Sequence, residues 1–197
     1  MMRGKLVLLR KVAGQLEELS DESLVAACAL GDSAAMGALI DRFQRAVYRF
    51  VARLIGSADS DRDDLVQSTF VEVALCAPSF RGRSSVKVWI FGIAANLARN
   101  HVRSAARRRR FEGVLAALPE TRSSSPARVA EHHELMARLG PAIADLPQHL
   151  REAFVMCDLE DVPCREAAKA LGVREGTIWR RVHEARKTLR DVIGGQS

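Results

Sequence analysis

The sequence has few aromatic residues and no long hydrophobic segment. Aromatic side chains make up 5% of the 197 residues, with a single tyrosine, which argues against a large β-sandwich or a pocket lined by aromatic rings. The longest apolar run, from Val88 to Ala98, has 11 residues and includes Asn96, whereas a helix that spans a bilayer needs about 20. The amino terminus begins with basic residues, but its apolar stretch stops at Arg10, too early for a secretory signal. We therefore expect a cytoplasmic protein without membrane insertion.

Cysteine is also scarce, and its spacing indicates neither a metal site nor a disulfide framework. The four cysteines are Cys28, Cys76, Cys157 and Cys164. They include no CxxC pair, and no histidine lies at zinc-finger spacing from them. Their apolar or helical surroundings favour reduced thiols that pack as small hydrophobic groups, although Cys157 and Cys164 could form a redox pair across a turn. The sequence contains no nucleophile–base set and no glycine-rich phosphate loop, so we predict no metal, no cofactor and no enzymatic activity.

Acidic residues are absent from one long block of the chain. The whole sequence has 30 Lys and Arg against 24 Asp and Glu, a net charge of +6. The 39 residues from Val73 to Phe111 contain nine basic residues and no acid, while residues 1–72 and 112–197 have net charges of −2 and −1. A basic block this concentrated points to a polyanionic partner: nucleic acid, an anionic membrane surface or an acidic protein. The lack of membrane signals disfavours the second.

Hydrophobic residues recur at helical spacing through most of the chain, which predicts an all-α fold. The first four predicted helices cover approximately residues 23–30, 33–55, 62–76 and 86–108, and Ser20 is the expected cap of the first. The apolar stripe of the second helix consists of Leu39, Phe43, Val47, Phe50 and Leu54. A segment rich in serine and proline follows and is typical of a flexible linker. Helical spacing resumes near Val129. The sequence therefore predicts two small helical domains, residues 20–110 and 131–194, joined by a linker at 111–130.

The strongest local pattern lies between Pro163 and Leu189, and it predicts a helix-turn-helix. Ala168, Gly172 and Ile178 have the required spacing, because a small residue lets the helices approach and glycine accepts a positive φ in the turn. The inward stripe of the second helix consists of Ile178, Val182, Ala185 and Leu189. Its other face carries Trp179, Arg180, Arg181, His183, Arg186, Lys187 and Arg190. A basic second helix suits docking in the major groove of DNA, although a solvated helix in an ordinary bundle is the alternative.

The acid-free block contains a second candidate surface for nucleic acid. On a helix from Val86 to Arg108, amides, arginines and a tryptophan share one stripe about 100° wide. The stripe consists of Trp89, Asn96, Arg99, Asn100, Arg103 and Arg107. A tryptophan in this setting suits a platform for a nucleobase, and such stacking contributes about 1–3 kcal/mol per base. The alternative is that Trp89 belongs to the core beneath long arginine stems.

Motifs in the first half resemble region 2 of the extracytoplasmic-function (ECF) sigma factors, the smallest class of the sigma-70 family. The segment DLVQSTF, from Asp64 to Phe70, is similar to the family's D-L-V-Q-E-T-F helix. The segments FRGRS, from Phe80, and WIFGIAAN, from Trp89, are similar to F-R-G-x-[AS] and W-[LI]-x-x-[IA]-A-x-N. Ser68 departs from the usual glutamate of the first motif.

Motifs in the second half resemble region 4 of the same family, in the family's order. Leu146-Pro147, followed by REAF from Arg151, is similar to the opening of region 4, and GVREGTI from Gly172 is similar to its turn and recognition helix. Altogether the resemblance covers about residues 20–108 and 140–192.

The resemblance implies a promoter-specificity subunit of RNA polymerase with three binding surfaces and no catalysis of its own. Contacts with core RNA polymerase are implied for Asp64, Leu65, Gln67 and Phe70. Contacts with the opened minus-ten element, including one flipped base, are implied for the arginine and amide stripe and for Phe80, Arg81, Arg83, Ser84 and Ser85. Contacts with the minus-thirty-five duplex are implied for Arg174, Thr177, Trp179, Arg180, Arg181, His183, Arg186 and Lys187. An anti-sigma factor is the usual regulator of the class.

Two other functions are compatible with parts of the pattern. The first is an ordinary helix-turn-helix regulator with a helical dimerisation or sensing domain, but such a domain has no need of the acid-free stripe. The second is a DNA-processing enzyme, which would need carboxylates or a nucleophile near the basic block, and that block has no acid.

Overall fold

The structure is a computed structural model that describes residues 18–56, 60–113 and 139–194. Within these ranges every regular element is helical, which confirms the all-α prediction. The amino-terminal part contains α1 (Asp21–Ala29), α2 (Ser33–Ile55), α3 (Arg62–Cys76), a 3-10 turn (Ala77–Ser79) and α4 (Val86–Gly113). The carboxy-terminal part contains α5 (139–145), α6 (Gln148–Phe154), a π-helical turn (Val155–Leu159), α7 (Cys164–Ala170) and α8 (Glu175–Gly194).

Side-chain caps begin the first two helices. The side chain of Ser20 accepts a hydrogen bond from the backbone N–H of Ser23 at the start of α1, and Asp32 caps α2 in the same way. Helix α4 continues to Gly113, five residues beyond the predicted end, so residues 111–113 of the predicted linker are helical. The remainder of that linker and the segment at residues 1–17 lie outside the described residues.

The core of the first domain follows the predicted apolar stripe of α2. Its five predicted inward residues, Leu39, Phe43, Val47, Phe50 and Leu54, are all buried. The rings of Phe50 and Phe91 stack with their centroids 4.3 Å apart, which ties α2 to α4. Because α1 and α3 also pack on α2, the four helices fix the orientation of α4 and therefore of its polar face.

The second domain is built on the predicted helix-turn-helix. Ile178, Val182, Ala185 and Leu189 are all buried. Gly172 has a φ of 67°, and the next backbone N–H, from Val173, donates to the carbonyl of Ala168 at 2.9 Å. The predicted turn geometry is therefore confirmed.

The two domains pack against each other, with α7 lying on α4. In the part of the chain that the structure describes, no helix is long and apolar enough to cross a membrane.

Candidate DNA and polymerase surfaces

A groove of about 1060 Å³ lies beside the polar face of α4. It is bounded by the end of α3, the loop at residues 80–85, α4 itself and the end of α7. Eight residues predicted to bind the minus-ten element line it: Phe80, Arg81, Arg83, Ser84, Trp89, Asn96, Arg99 and Asn100. Arg103 and Arg107 are exposed further along α4, and Ser85 accepts a hydrogen bond from the backbone N–H of Val88 at 3.4 Å. The structure thus brings most of this predicted set together in one place.

The aromatic wall of the groove is a pair of rings. Trp89 is half-buried and packs against Phe80, with ring centroids 4.9 Å apart and planes tilted by 48°. Trp89 also contacts the hydrophobic core. Part of the indole therefore supports the core and the rest borders the groove, where its role as a platform for a nucleobase stays a prediction.

Arg99 is engaged in an ion pair between the two domains. Its guanidinium donates to both carboxylate oxygens of Glu152, from Nε at 3.1 Å and from Nη2 at 2.6 Å. The Glu152 side chain is 1% exposed and accepts a further hydrogen bond from Gln148. A bidentate arginine–carboxylate pair with so little solvent is a strong polar contact. Arg99 therefore occupies the predicted stripe but is not available to DNA in this arrangement.

A second acidic residue of the carboxy-terminal domain forms ion pairs with two basic residues of the first domain. Glu160, whose side chain is 7% exposed, contacts Arg53 at 2.6 Å and Lys87 at 2.9 Å. The side chain of Arg151 completes the polar contact by donating to the carbonyl of Leu54 at 2.6 Å. These ion pairs were not predicted. Lys87 nevertheless belongs to the acid-free block, and the lack of acidic residues within that block indicated that its acidic partners lie elsewhere in the chain.

Helix α7 meets α4 where α4 has a glycine. A methyl group at Gly92 would lie 2.9 Å from the carbonyl oxygen of Ala170 and 3.2 Å from its Cβ, so the close approach requires glycine here. Lys169 and Gly172 also line the groove, so the helix-turn-helix of the second domain forms one of its walls. The second domain therefore narrows access to the predicted minus-ten surface.

The face of α3 predicted to bind polymerase is only partly as expected. Asp64 and Gln67 are exposed, and Leu65 is half-buried against the core. Phe70 is 6% exposed in the hydrophobic core, which corrects its assignment as a direct contact. Its motif position indicated function, but its side chain supports α3 from inside.

Two apolar residues on the outer face of α3 were missed. Val71 and Leu75 are 62% and 70% exposed, one and two turns beyond Gln67. Val71 and Leu75 follow Gln67 at successive intervals of four residues, and this spacing was the signal that could have found them. Exposed aliphatic side chains in adjacent turns are typical of a surface that a protein partner covers.

The basic face of α8 is outward, as predicted. Trp179 is 58% exposed. Arg174, Arg180, His183 and Lys187 are exposed as well, whereas Thr177 and Arg181 are half-buried. Arg186 is exposed but holds both carboxylate oxygens of Asp158, at 2.8 and 2.6 Å. Hydrogen bonding to this carboxylate raises the pKa of Arg186 further, so its charge is fixed.

A helix-turn-helix with a basic outer face and a separate basic groove with an aromatic wall define a two-domain, all-helical DNA-binding protein. Residues 39–108 match the family model "Sigma-70 region 2", and residues 137–189 match the family model "Sigma-70, region 4". The ECF RNA polymerase sigma-E factor of Escherichia coli (strain K12) is 30% identical over 181 residues, 88% of this chain and 94% of that protein. That of Haemophilus influenzae is 28% identical over 185 residues, 90% of this chain and 97% of that protein. The chain belongs to the ECF sigma factors of the sigma-70 family.

Solved structures support the same assignment. The structure of CnrH, solved in complex with the cytosolic domain of CnrY, matches this chain with a TM-score of 0.65 and 26% sequence identity. The match covers 90% of this chain and 99% of the CnrH chain. The structure of the sigma factor RpoE of Bartonella quintana, solved in complex with the anti-sigma factor NepR, matches this chain with a TM-score of 0.61 and 26% sequence identity. The match covers 80% of this chain and 96% of the RpoE chain. An ordinary helix-turn-helix regulator is therefore not favoured. The family consists of transcription initiation factors.

Proposed function

We propose that this sigma factor uses three surfaces, one for polymerase and two for promoter DNA. The outer face of α3 binds core RNA polymerase through Asp64 and Gln67, with Val71 and Leu75 as apolar contacts. The groove beside α4 holds the opened minus-ten strand. The outer face of α8 reads the minus-thirty-five duplex.

The groove is the observation that carries this proposal. Asn96 and Asn100 are exposed on α4 and line the same groove as Arg81 and Arg83 of the loop, and Trp89 also borders that groove. Arginines suit a phosphate backbone, amides suit base edges and an aromatic ring suits a stacked base. A duplex must be opened before its bases reach such a groove, and binding of the opened strand offsets the free-energy cost of unpairing.

Binding of the minus-ten strand requires the two domains to separate. Helix α7 forms one wall of the groove, and Glu152 neutralises Arg99 at its edge. A DNA strand that follows the arginine stripe of α4 would meet both. We therefore assign the observed arrangement to the free, closed sigma factor and expect polymerase to bind an opened one.

The known relatives also support a regulatory partner. CnrH and RpoE were each solved in complex with another protein, the cytosolic domain of CnrY and the anti-sigma factor NepR. We infer that an anti-sigma factor binds this chain as well. In the cell the chain would work in the cytoplasm, at the nucleoid together with polymerase, without enzymatic activity of its own.

Run-off transcription with purified core RNA polymerase and genomic promoter fragments tests the function directly. We expect promoter-specific transcripts only when the chain is added, and co-purification of the chain with core polymerase. Absence of both would exclude the proposal in favour of an ordinary DNA-binding regulator.

The α3 surface can be tested separately from DNA binding. Leu75→Asp places a charge on the proposed polymerase contact and should reduce co-purification with core while leaving duplex binding unchanged. Leu30→Asp is the matched control, because Leu30 is 90% exposed at the end of α1, outside α3. Equal loss of co-purification for both variants would remove α3 from the interface.

A further inference from the structure

Two cysteines of the second domain lie in contact beside the recognition helix. Cys157 is in the π-helical turn that follows α6, and Cys164 is the first residue of α7. Their sulfur atoms are 3.8 Å apart, with the Cys164 thiol donating to the Cys157 sulfur. A disulfide requires about 2.05 Å between the sulfurs, so the two atoms must approach each other by about 1.8 Å. The other two thiols have different neighbours: Cys28 contacts the sulfur of Met36, and Cys76 donates to the carboxylate of Glu72.

The dithiol belongs to a cluster that includes a predicted DNA contact. Asp158, the neighbour of Cys157 in the chain, holds Arg186 of α8 through two hydrogen bonds. Burial raises the pKa of the Cys157 thiol to about 12, with further contributions from Cys164 and Asp158 and a smaller opposing one from Arg186. Because Asp158 belongs to the same turn as Cys157, the position of the turn at residues 155–159 sets the position of the Asp158 carboxylate, which in turn holds Arg186.

We propose that Cys157 and Cys164 are a redox-sensitive dithiol that a hydroperoxide converts into an intramolecular disulfide, and that this bond keeps Arg186 away from duplex DNA. In the first step the Cys164 sulfur, after losing its proton, attacks a peroxide oxygen and becomes a sulfenic acid; when hydrogen peroxide is the oxidant, the hydroxide that leaves takes up that proton and departs as water. In the second step the other thiol attacks the sulfenic sulfur, the S–S bond forms, and a second water leaves with the thiol proton. Two electrons pass from the sulfurs to the peroxide, and a thiol reductant reverses the change.

The link to DNA follows from the loop that the disulfide closes. Residues 157–164 become a ring that joins the turn to α7, so Asp158 can no longer move away from α8. Arg186 must leave Asp158 to reach a phosphate, and the oxidised turn opposes that exchange. This second half of the inference rests on the proposed role of α8 in binding duplex DNA, whereas the formation of the disulfide does not.

Disulfide formation is tested on the full chain, reduced and then treated with hydrogen peroxide. We expect loss of two of the four free thiols in a maleimide gel-shift assay, a mass lower by two hydrogen atoms, and a cross-linked peptide that contains Cys157 and Cys164. Cys164→Ser should abolish the change, and Cys76→Ser, at another half-buried thiol, should not. A cross-link between different cysteines or only between different chains, or four thiols that all remain free, would overturn the inference. Because the wild-type chain carries the assay, it stands even where a variant folds poorly.

The DNA consequence is tested by anisotropy with a labelled mixed-sequence duplex over a range of salt concentrations. Oxidation should weaken binding about two- to tenfold at low salt and lower the salt dependence by about one phosphate contact, and dithiothreitol should restore both. In Asp158→Asn, which releases Arg186 in either redox state, oxidation should have no effect. Duplex binding that is unchanged by the disulfide would refute the link to Arg186, whereas absence of duplex binding by the reduced chain would count against the proposed role of α8 instead.

Discussion

A methyl group at Gly92 should open the sigma factor without weakening its first domain. In Gly92→Ala the new Cβ lies 2.9 Å from the Ala170 carbonyl oxygen, so α7 must retreat by about 0.5 Å to reach ordinary contact distance. Overpacking of this kind costs about 1–3 kcal/mol. The same substitution stabilises the interior of α4 by about 0.5–1 kcal/mol, because alanine loses less conformational freedom than glycine. The two effects act on different structures: the clash acts only on the closed arrangement, and the helix gain acts on the domain.

The cost of the clash converts into a measurable shift of the equilibrium between closed and open forms. A penalty of about 1–3 kcal/mol changes that equilibrium by about 5- to 150-fold toward the open form. If the groove binds DNA only in the open form, affinity for single-stranded DNA rises by up to the same factor, since apparent affinity scales with the competent fraction. Small-angle X-ray scattering should show a larger radius of gyration, and anisotropy with a labelled mixed-sequence single strand should show tighter binding.

Gly37→Ala provides the matched control. Gly37 is also inside a helix of the first domain, but a methyl group there meets nothing within 4 Å. It should raise the thermal midpoint in the same way and leave the scattering profile unchanged. If the profiles of Gly92→Ala and wild type coincide and single-strand affinity does not change, the contact between α7 and α4 does not control access to the groove.

Three further measurements test other parts of the structure. Glu152→Gln removes the charge that holds Arg99, so it should increase the radius of gyration in X-ray scattering and strengthen binding of single-stranded DNA, most clearly at low salt. A smaller radius of gyration would contradict the role of this ion pair. Asn96→Ala should weaken open-complex formation on duplex promoters more than binding to a pre-melted template, and an equal loss on both would argue against a role in melting. Cys157 is held as a neutral thiol beside Cys164, Asp158 and Arg186 with its pKa raised from 9.0 to about 12, so its contribution to stability is complete below about pH 9 and is lost as the pH rises toward 12. Denaturant titrations should show that loss in the wild type and a smaller one in Cys157→Ser, and parallel pH profiles would contradict it.

The sequence predicted the helices of this fold and the polar face of α4, because both depend on local patterns. The apolar stripe of α2, the cap at Ser20 and the turn at Gly172 each depend on residues within a few positions of each other. The grouping of Trp89 with Asn96 likewise needed only the period of one helix.

The ion pairs that close the groove could not be predicted in this way. Arg99 and Glu152 are 53 residues apart, on different domains, and no periodicity relates them. Their pairing depends on how two finished domains dock, which is decided by shape at Gly92 as well as by charge. The burial of Phe70 could have been predicted, because Phe70 and Val73 lie on the inward side of α3 at helical spacing. The family motif suggested a direct contact with polymerase instead.

The length of α4 has a consequence for how the closed form is held. Of the side chains described in α4, Ala98 is the last that is fully buried, yet the helix continues for 15 more residues to Gly113, about 22 Å at the usual rise. The 26 peptide steps from there to residue 139 can reach at most about 90 Å. The described extension of α4 is therefore a rigid spacer, and it sets where residue 113, the starting point of the connection to the second domain, lies. Adding one turn after Arg108 would move that starting point by about 5.4 Å and change the effective concentration of one domain at the other, while the residues that line the groove stay in place.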